Sequence, residues 1–397
     1  MMGYYINKMD PQGTIAVDDT IQVQGSPATA GSRILEGFLP LFSAEAVTRL
    51  EQAGEKVSGK CHVGEFGLDL LGESSFFGPL LQDGHLASAS AQLVAEGSVK
   101  AALNVDANGT PRRAAAVAGV DLIKPTYGAV SRRGVISTAS SGETVTVTAR
   151  DAREAARILS LIAGHDEKDG TSLPQVRYSY DPEGGVQGLK VARIAPLLEG
   201  AEDAVQARIE EISAALENLG AALETIEADW TGQAQTAWQI LMCAESCSNL
   251  GRFDGVKYGR RAREYRDIED LYDKSRSEGL GFNAKAVILY GSEVLSKQKY
   301  EACYDRALRV RRVIAEELAR LFARYDALLC PAISTFAPAP CAPTESFARA
   351  FGESRFTAPA SLTGIPAMVT GGVQFMAAHH GEETLLKIAR TLEKGEE

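Results

Sequence analysis

Cysteine, histidine and tryptophan are scarce in this chain, at six, five and two among 397 residues. The six cysteines (Cys61, Cys243, Cys247, Cys303, Cys330, Cys341) are too few and too scattered for a disulfide framework and read as reduced thiols. Cys243 and Cys247 stand four apart in a helical stretch, but no second Cys or His pair lies near enough in sequence to complete four ligands, so neither structural zinc nor any other metal or cofactor is expected. Long apolar runs are missing as well. None approaches the ~20 residues that cross a bilayer, and the opening MMGYYINKMDPQG lacks the basic-then-apolar order of a signal peptide. The expectation is a cytoplasmic protein without membrane contact. Positive charge is also in deficit: 41 basic against 52 acidic residues gives 41 − 52 = −11. Such a surface repels a phosphate backbone, so direct nucleic-acid binding is not expected and any RNA would be held by a partner. No Gly-Lys-Ser/Thr follows the glycine-rich pieces at phosphate-loop spacing.

What remains is ordinary globular material, 45% apolar and 23% charged. Residues 43–56 have the spacing of a helix, with Ser43 as N-cap and Ala46, Val47, Leu50 and Ala53 on one face, followed by a strand to about Lys60. Asp151 caps a second helix with the apolar stripe Ala152, Ala155, Ala156, Leu159 and Ile162, ended by Gly164. Leu189 to Ile194, Ala201 to Leu219 and Ala222 to Ile226 form a strand, helix and strand, a β-α-β unit. From Trp238 to about Leu321 nearly everything has helical spacing, including the basic cluster Lys257, Arg260, Arg261, Arg263 and Arg266, which reads as a solvated face or a partner-docking surface. After a strand at Ala327 to Cys330 come a Pro/Ala-rich loop, a last strand and a helix. With no repeat or long linker, residues 1–397 form a single α/β domain carrying a helical insertion at about 235–325.

Residues 124–172, KPTYGAVSRRGVISTASSGETVTVTARDAREAARILSLIAGHDEKDGTS, resemble the segment that follows the nucleophile in the amidase-signature family. AESCSNLGRFDGVKYG (244–259) is similar to a stretch distinctive of the amidotransferase A-subunit branch, and GKCHVGEF (59–66) and SLTGIPAMV (361–369) also fit. The likeness runs from about residue 13 to the C-terminus, without the helical region that usually precedes it in the family. It implies a mixed, twisted sheet covered by helices on both faces, and partner subunits of amidotransferase B or C type or a paralogue.

The resemblance also implies a catalytic relay: a Ser nucleophile activated through a second Ser, on a cis peptide, by a neutral Lys. A hydroxyl is a weak nucleophile until a base takes its proton. Asp18 stands in the lysine's place after Ile15-Ala16-Val17, Leu86 replaces the relay serine in Gly84-His85-Leu86-Ala87-Ser88-Ala89-Ser90, and Thr110 stands where the nucleophile belongs in Asn104-Val105-Asp106-Ala107-Asn108-Gly109-Thr110-Pro111-Arg112. Asp18 is expected to be ionised and a poor base. Pro111 is expected to confine Thr110 to extended conformations. The amides of Ala107, Asn108 and Gly109 lead into Thr110 as an oxyanion-type nest, with Asn108 taking backbone angles that suit glycine. Of a glutamine clamp, Arg252 is retained, with an ion pair to Asp254 or Glu245 as the alternative role, and Ser354 replaces the acid. His62, His165, His379 and His380 read as surface or packing residues, and Lys60 and Lys124 as structural. Three functions follow: a catalytically silent paralogue with a structural or regulatory role, a working amidase built on Thr110, or a small-molecule binding module that reuses the emptied pocket.

Overall fold

The computed structural model describes residues 3–175 and 178–396. Its strands are β1 (Tyr5–Lys8), β2 (Ile15–Asp18), β3 (Val57–Cys61), β4 (Leu81–Gln82), β5 (His85–Leu86), β6 (Ala101–Asp106), β7 (Asp121–Lys124), β8 (Thr144–Ala149), β9 (Lys190–Ile194), β10 (Ala222–Ile226), β11 (Ala327–Pro331), β12 (Ala367–Thr370) and β13 (Val373–Met376). The helices are α1 (Glu45–Gln52), α2 (Ala89–Ala95), α3 (Thr110–Ala118), α4 (Ala152–Ile162), α5 (Ala195–Leu198), α6 (Asp203–Asn218), α7 (Thr231–Leu250), α8 (Ile268–Gly279), α9 (Phe282–Val294), α10 (Arg306–Phe322), α11 (Pro343–Thr363) and α12 (Glu382–Glu396).

Eleven strands make one mixed sheet in the order β1-β3-β2-β6-β8-β7-β12-β13-β11-β9-β10, and β4 and β5 form a separate hairpin. Strand alternation sends successive side chains to opposite faces. Ile15 and Val17 therefore join one core with Val47 of α1, Leu159 of α4 and Leu385 of α12, while Ala16 between them faces α2 and α3. Likewise Leu329 faces the first layer, and Leu328 and Cys330 face the helical layer of α7, α9, α10 and α11. Every residue of β8, TVTVTA, is buried, as a strand covered on both faces requires. The expected β-α-β unit is present, with β9 and β10 parallel and Lys190 opposite Ala222.

Asp151 caps α4 by accepting the Glu154 N–H at 2.8 Å. Ser43 does not cap α1: Ala44 occupies that position, and the Ser43 hydroxyl instead accepts the Gln24 N–H at 3.0 Å. Two strands, β12 and β13, precede the last helix where a single one was expected. The helical stretch starts earlier than its spacing suggested, with α7 at Thr231, and is interrupted: residues 251–267, which carry the basic cluster, form turns and bends between α7 and α8. No helix among the described residues is long and apolar enough to cross a membrane.

Trp238, fully buried on α7, packs that helix against the turn before β8 by lying against the backbone of Gly142, where an added Cβ would come within 2.0 Å of the indole ring. An overpacked core costs ~1–3 kcal/mol. Gly142→Ala is therefore expected to lower the unfolding free energy by that amount, seen as a lower urea midpoint at an unchanged slope, and an unchanged midpoint would refute the packing role given to this contact.

Candidate active site

Strand β6 delivers Asp106 to the edge of the apolar core, and the chain turns through Ala107, Asn108 and Gly109 into α3. Asp106 accepts the Gly109 N–H at 3.0 Å and pairs with Arg112 at 2.7 Å and 3.2 Å. The remaining Arg112 N–H groups reach Thr357 O at 3.1 Å, Gln374 Oε1 at 2.7 Å and Ser361 Oγ at 2.8 Å, so all five donors of a fully buried guanidinium are used. Burial pushes Asp106 up, but the charge and hydrogen bonds of Arg112, with Lys124 and the Gly109 amide, bring it below the usual carboxylate range. The left-handed residue of the turn is Gly109, at φ +84°, and Asn108 keeps negative φ, contrary to expectation. Glycine is required there also for space, since a Cβ would lie 2.3 Å from Thr357.

Thr110 is the first residue of α3 rather than extended, and Pro111 follows it in the first turn, where a missing N–H costs no helical hydrogen bond. Its hydroxyl donates to Asp69 O at 2.8 Å and accepts from Arg113 Nη2 at 3.1 Å. Arg113 is wholly buried, and it too has every donor engaged, by Leu70 O, Asn108 O, Asp69 O and the hydroxyls of Thr357 and Thr110. No carboxylate among the described residues forms an ion pair with it, and burial brings it down to about 10.

A cleft of about 30 Å³ brings Asp18, Thr20, His62, Ser88, Asn104 and Thr110 together, room for a water or two, since one water needs at least ~10–15 Å³. Leu86 is not in it. That side chain is buried in the apolar layer with Leu71 and Leu80, on a trans peptide like all the described bonds, and Ser88 is the residue of its segment that reaches the cleft. Burial pushes Asp18 up to about 7, despite hydrogen bonding by Asn104 and Ser90 and the nearby Lys60 charge. Burial thus holds Asp18 above the ordinary carboxylate range that was expected of it, since sequence proximity says nothing of desolvation. His62, taken as a packing residue, lines the same cleft, but its Nε2 bonds to Gly78 O at 2.7 Å and burial lowers its pKa. Lys60 bonds to Ile21 O and stands 3.5 Å from Asp19. Lys124 bonds to Ile365 O at 3.0 Å, and burial, with Arg112, takes it down to about 7.

The clamp residues are not joined. Arg252 is exposed and folds back on Asn249, at 2.7 Å to its O and 2.6 Å to its Oδ1, so the ion pair considered with Asp254 or Glu245 does not form. Ser354 is wholly buried, accepts from Gln239 Nε2 at 2.8 Å and donates to Phe351 O at 2.7 Å. Cys243 and Cys247 lie one turn apart on α7, and no group of three or more His, Cys, Asp or Glu among the described residues is placed to hold a metal. Sequence reasoning missed Arg113 and Asp69, which together fix the Thr110 hydroxyl. The signal was the doubled arginine opening the alanine-rich TPRRAAAVA.

Comparison with known proteins places this geometry. The amidase family profile matches residues 14–386. The A subunit of glutamyl-tRNA(Gln) amidotransferase from Symbiobacterium thermophilum is 36% identical over 401 residues, covering 96% of this chain and 82% of that protein. Its counterpart from Lachnoclostridium phytofermentans is 33% identical over 418 residues with the same coverage. The crystal structure of the Thermotoga maritima counterpart superposes with a TM-score of 0.79 at 30% identity, over 96% of this chain and 82% of that one.

The Asp18 shift gives a pH test. A carboxyl raised on folding contributes stability that is full below its unfolded pKa of ~4 and is lost as pH rises to about 7. Asp18→Asn stays neutral, so its stability advantage over the parent is expected to open between pH 4 and 7 and to level off above, at roughly 1–4 kcal/mol. Chemical denaturation at pH 4.5 and pH 8 checks this, and a pH-independent difference would exclude the shift.

Proposed function

The chain belongs to the amidase family, and we propose that within it this protein is a catalytically silent relative of the amidotransferase A subunit, with a structural or regulatory role beside partner subunits. One observation carries the reading. The Thr110 proton is given to a backbone carbonyl, and a guanidinium donates to the same oxygen. A carbonyl is no base, so the hydroxyl has no acceptor able to take its proton. Leu86, which the resemblance aligns with the relay serine, lies outside the cleft and has no proton to pass, and the Gly109 amide that an oxyanion would need is committed to Asp106. A cleft of about 30 Å³ is also far below the roughly 300–1,000 Å³ of small-molecule sites, which gives no support to reuse of the emptied pocket by a metabolite. The relatives named above are, by their names, subunits of a larger enzyme, which is the ground for expecting partners.

A second reading keeps one observation in its favour: Asp18 shares the cleft with Thr110 and is pushed up to about 7, near the value that suits a general base at neutral pH. Ammonia release from glutamine, asparagine and simple amides separates the two. The silent reading expects no release above background and no difference between the parent and Thr110→Ala. Release that vanishes in Thr110→Ala and rises with pH through 7 would establish the amidase instead. For the complex, affinity purification of the tagged chain from its native cell is expected to recover a B- or C-type amidotransferase subunit or a paralogue in stoichiometric amount, and recovery of the chain alone would remove the structural role.

A further inference from the structure

Helix α9 has one side that this chain buries and one that it leaves in water. The inner side, Asn283, Ala284, Val287 and Gly291, is buried, and at Gly291 the backbone of α7 comes so close, at Cys243, that no Cβ would fit. The outer side recurs at the same helical spacing and carries Phe282, Leu289 and Tyr290, which are 46%, 69% and 59% exposed. Phe351 of α11, 39% exposed, lines the same groove as Tyr290, whose ring stacks on Phe347 at 5.5 Å between centroids. Large apolar side chains gathered on one face, rather than scattered singly, mark a surface that a partner covers.

The charges of that face bear on which partner. Lys285 and Glu293 are the only charged residues of α9, both are exposed, and each stands four positions from Leu289, one before it and one after. Neither serves the helix itself: its dipole favours acid near the N-terminus and base near the C-terminus, and here the order is reversed. The Lys285 ammonium donates to Ser277 O at 2.7 Å, and among the described residues neither side chain forms an ion pair.

We propose that this face docks a second copy of this chain, with the two α9 helices antiparallel about a two-fold axis at Leu289. Antiparallel pairing sets a residue any number of positions before Leu289 opposite the one the same number after it. Leu289 therefore meets its own counterpart, and Lys285 of each copy meets Glu293 of the other. A parallel pairing would oppose lysine to lysine and glutamate to glutamate, and a partner surface of single sign would leave one of the two charges unmatched. An interface on a two-fold axis requires a patch complementary to itself, and an apolar centre flanked symmetrically by opposite charges is such a patch. Tyr290 and Phe351 extend the apolar contact beside the seam. One helix pair with flanking aromatics is a small interface, so the association is weak and reversible. The inference rests neither on the chemistry at Thr110 nor on a B- or C-type partner.

Sedimentation velocity of the intact chain from about 1 to about 300 μM is expected to show a reversible monomer–dimer equilibrium with a micromolar Kd. Leu289→Asp, which sets two carboxylates together on the axis at a well-exposed position, is expected to leave a monomer with the parent's circular dichroism. Lys285→Glu and Glu293→Lys are each expected to weaken the dimer about tenfold or more, since like charges then face each other. The two single variants mixed together, or both substitutions in one chain, restore opposite charges across the seam and are expected to return the parent's Kd. A monomer throughout the range, a dimer undiminished by Leu289→Asp, or a charge-reversed pair that fails to recover association would each overturn the proposal.

Discussion

The buried Asp106–Arg112 pair is the constraint from which the site takes its shape. Two charges removed from water are tolerated only when their hydrogen-bonding capacity is met, and here the guanidinium has a partner for each N–H while the carboxylate also takes a backbone amide. The partners come from β6, α3, α11 and β13, so a single side chain holds the end of a strand, the start of a helix and two later segments in register. Loss of one member of such a pair typically costs ~3–5 kcal/mol. The turn that in the family presents a nucleophile is thus also a structural joint.

The neighbouring arginine has the opposite arrangement. Among the described residues Arg113 has no carboxylate in an ion pair with it and is held by carbonyls and hydroxyls, including that of Thr110. A cation beside a hydroxyl favours its ionised form in principle, yet the proton is bonded to Asp69 O, which cannot remove it. Asp69 itself is pushed up by burial and by Glu73, opposed by the Ser74 and Gly72 hydrogen bonds. The loop that carries Asp69 holds Thr110 and Arg113 through its carbonyls beside a small cleft. Family membership, by contrast, rests on the sheet and its apolar alternation, and these do not depend on which residue stands at position 110.

Much of the layer structure was readable from local pattern. The cap at Asp151 and the β9-α6-β10 unit each follow from spacings within a few residues, and the structure has them. Errors arose where a side chain takes a partner other than the one its local pattern suggests, whether distant or close by in the chain. Ser43 satisfies the capping preference but finds Gln24 instead. Arg252 has acids close by in sequence and uses Asn249.

The sequence by itself determined the α/β class, the family likeness and the identity of the residues at 18, 86 and 110, because periodicity and motif spacing are properties of neighbouring positions. Only the tertiary structure decided what those residues meet. It placed Leu86 outside the cleft and Ser88 within it, put Arg113 against Thr110, and moved Asp18 towards neutrality. Desolvation and hydrogen-bond partnership are set by atoms from strands and helices up to hundreds of residues apart, and no local spacing encodes them.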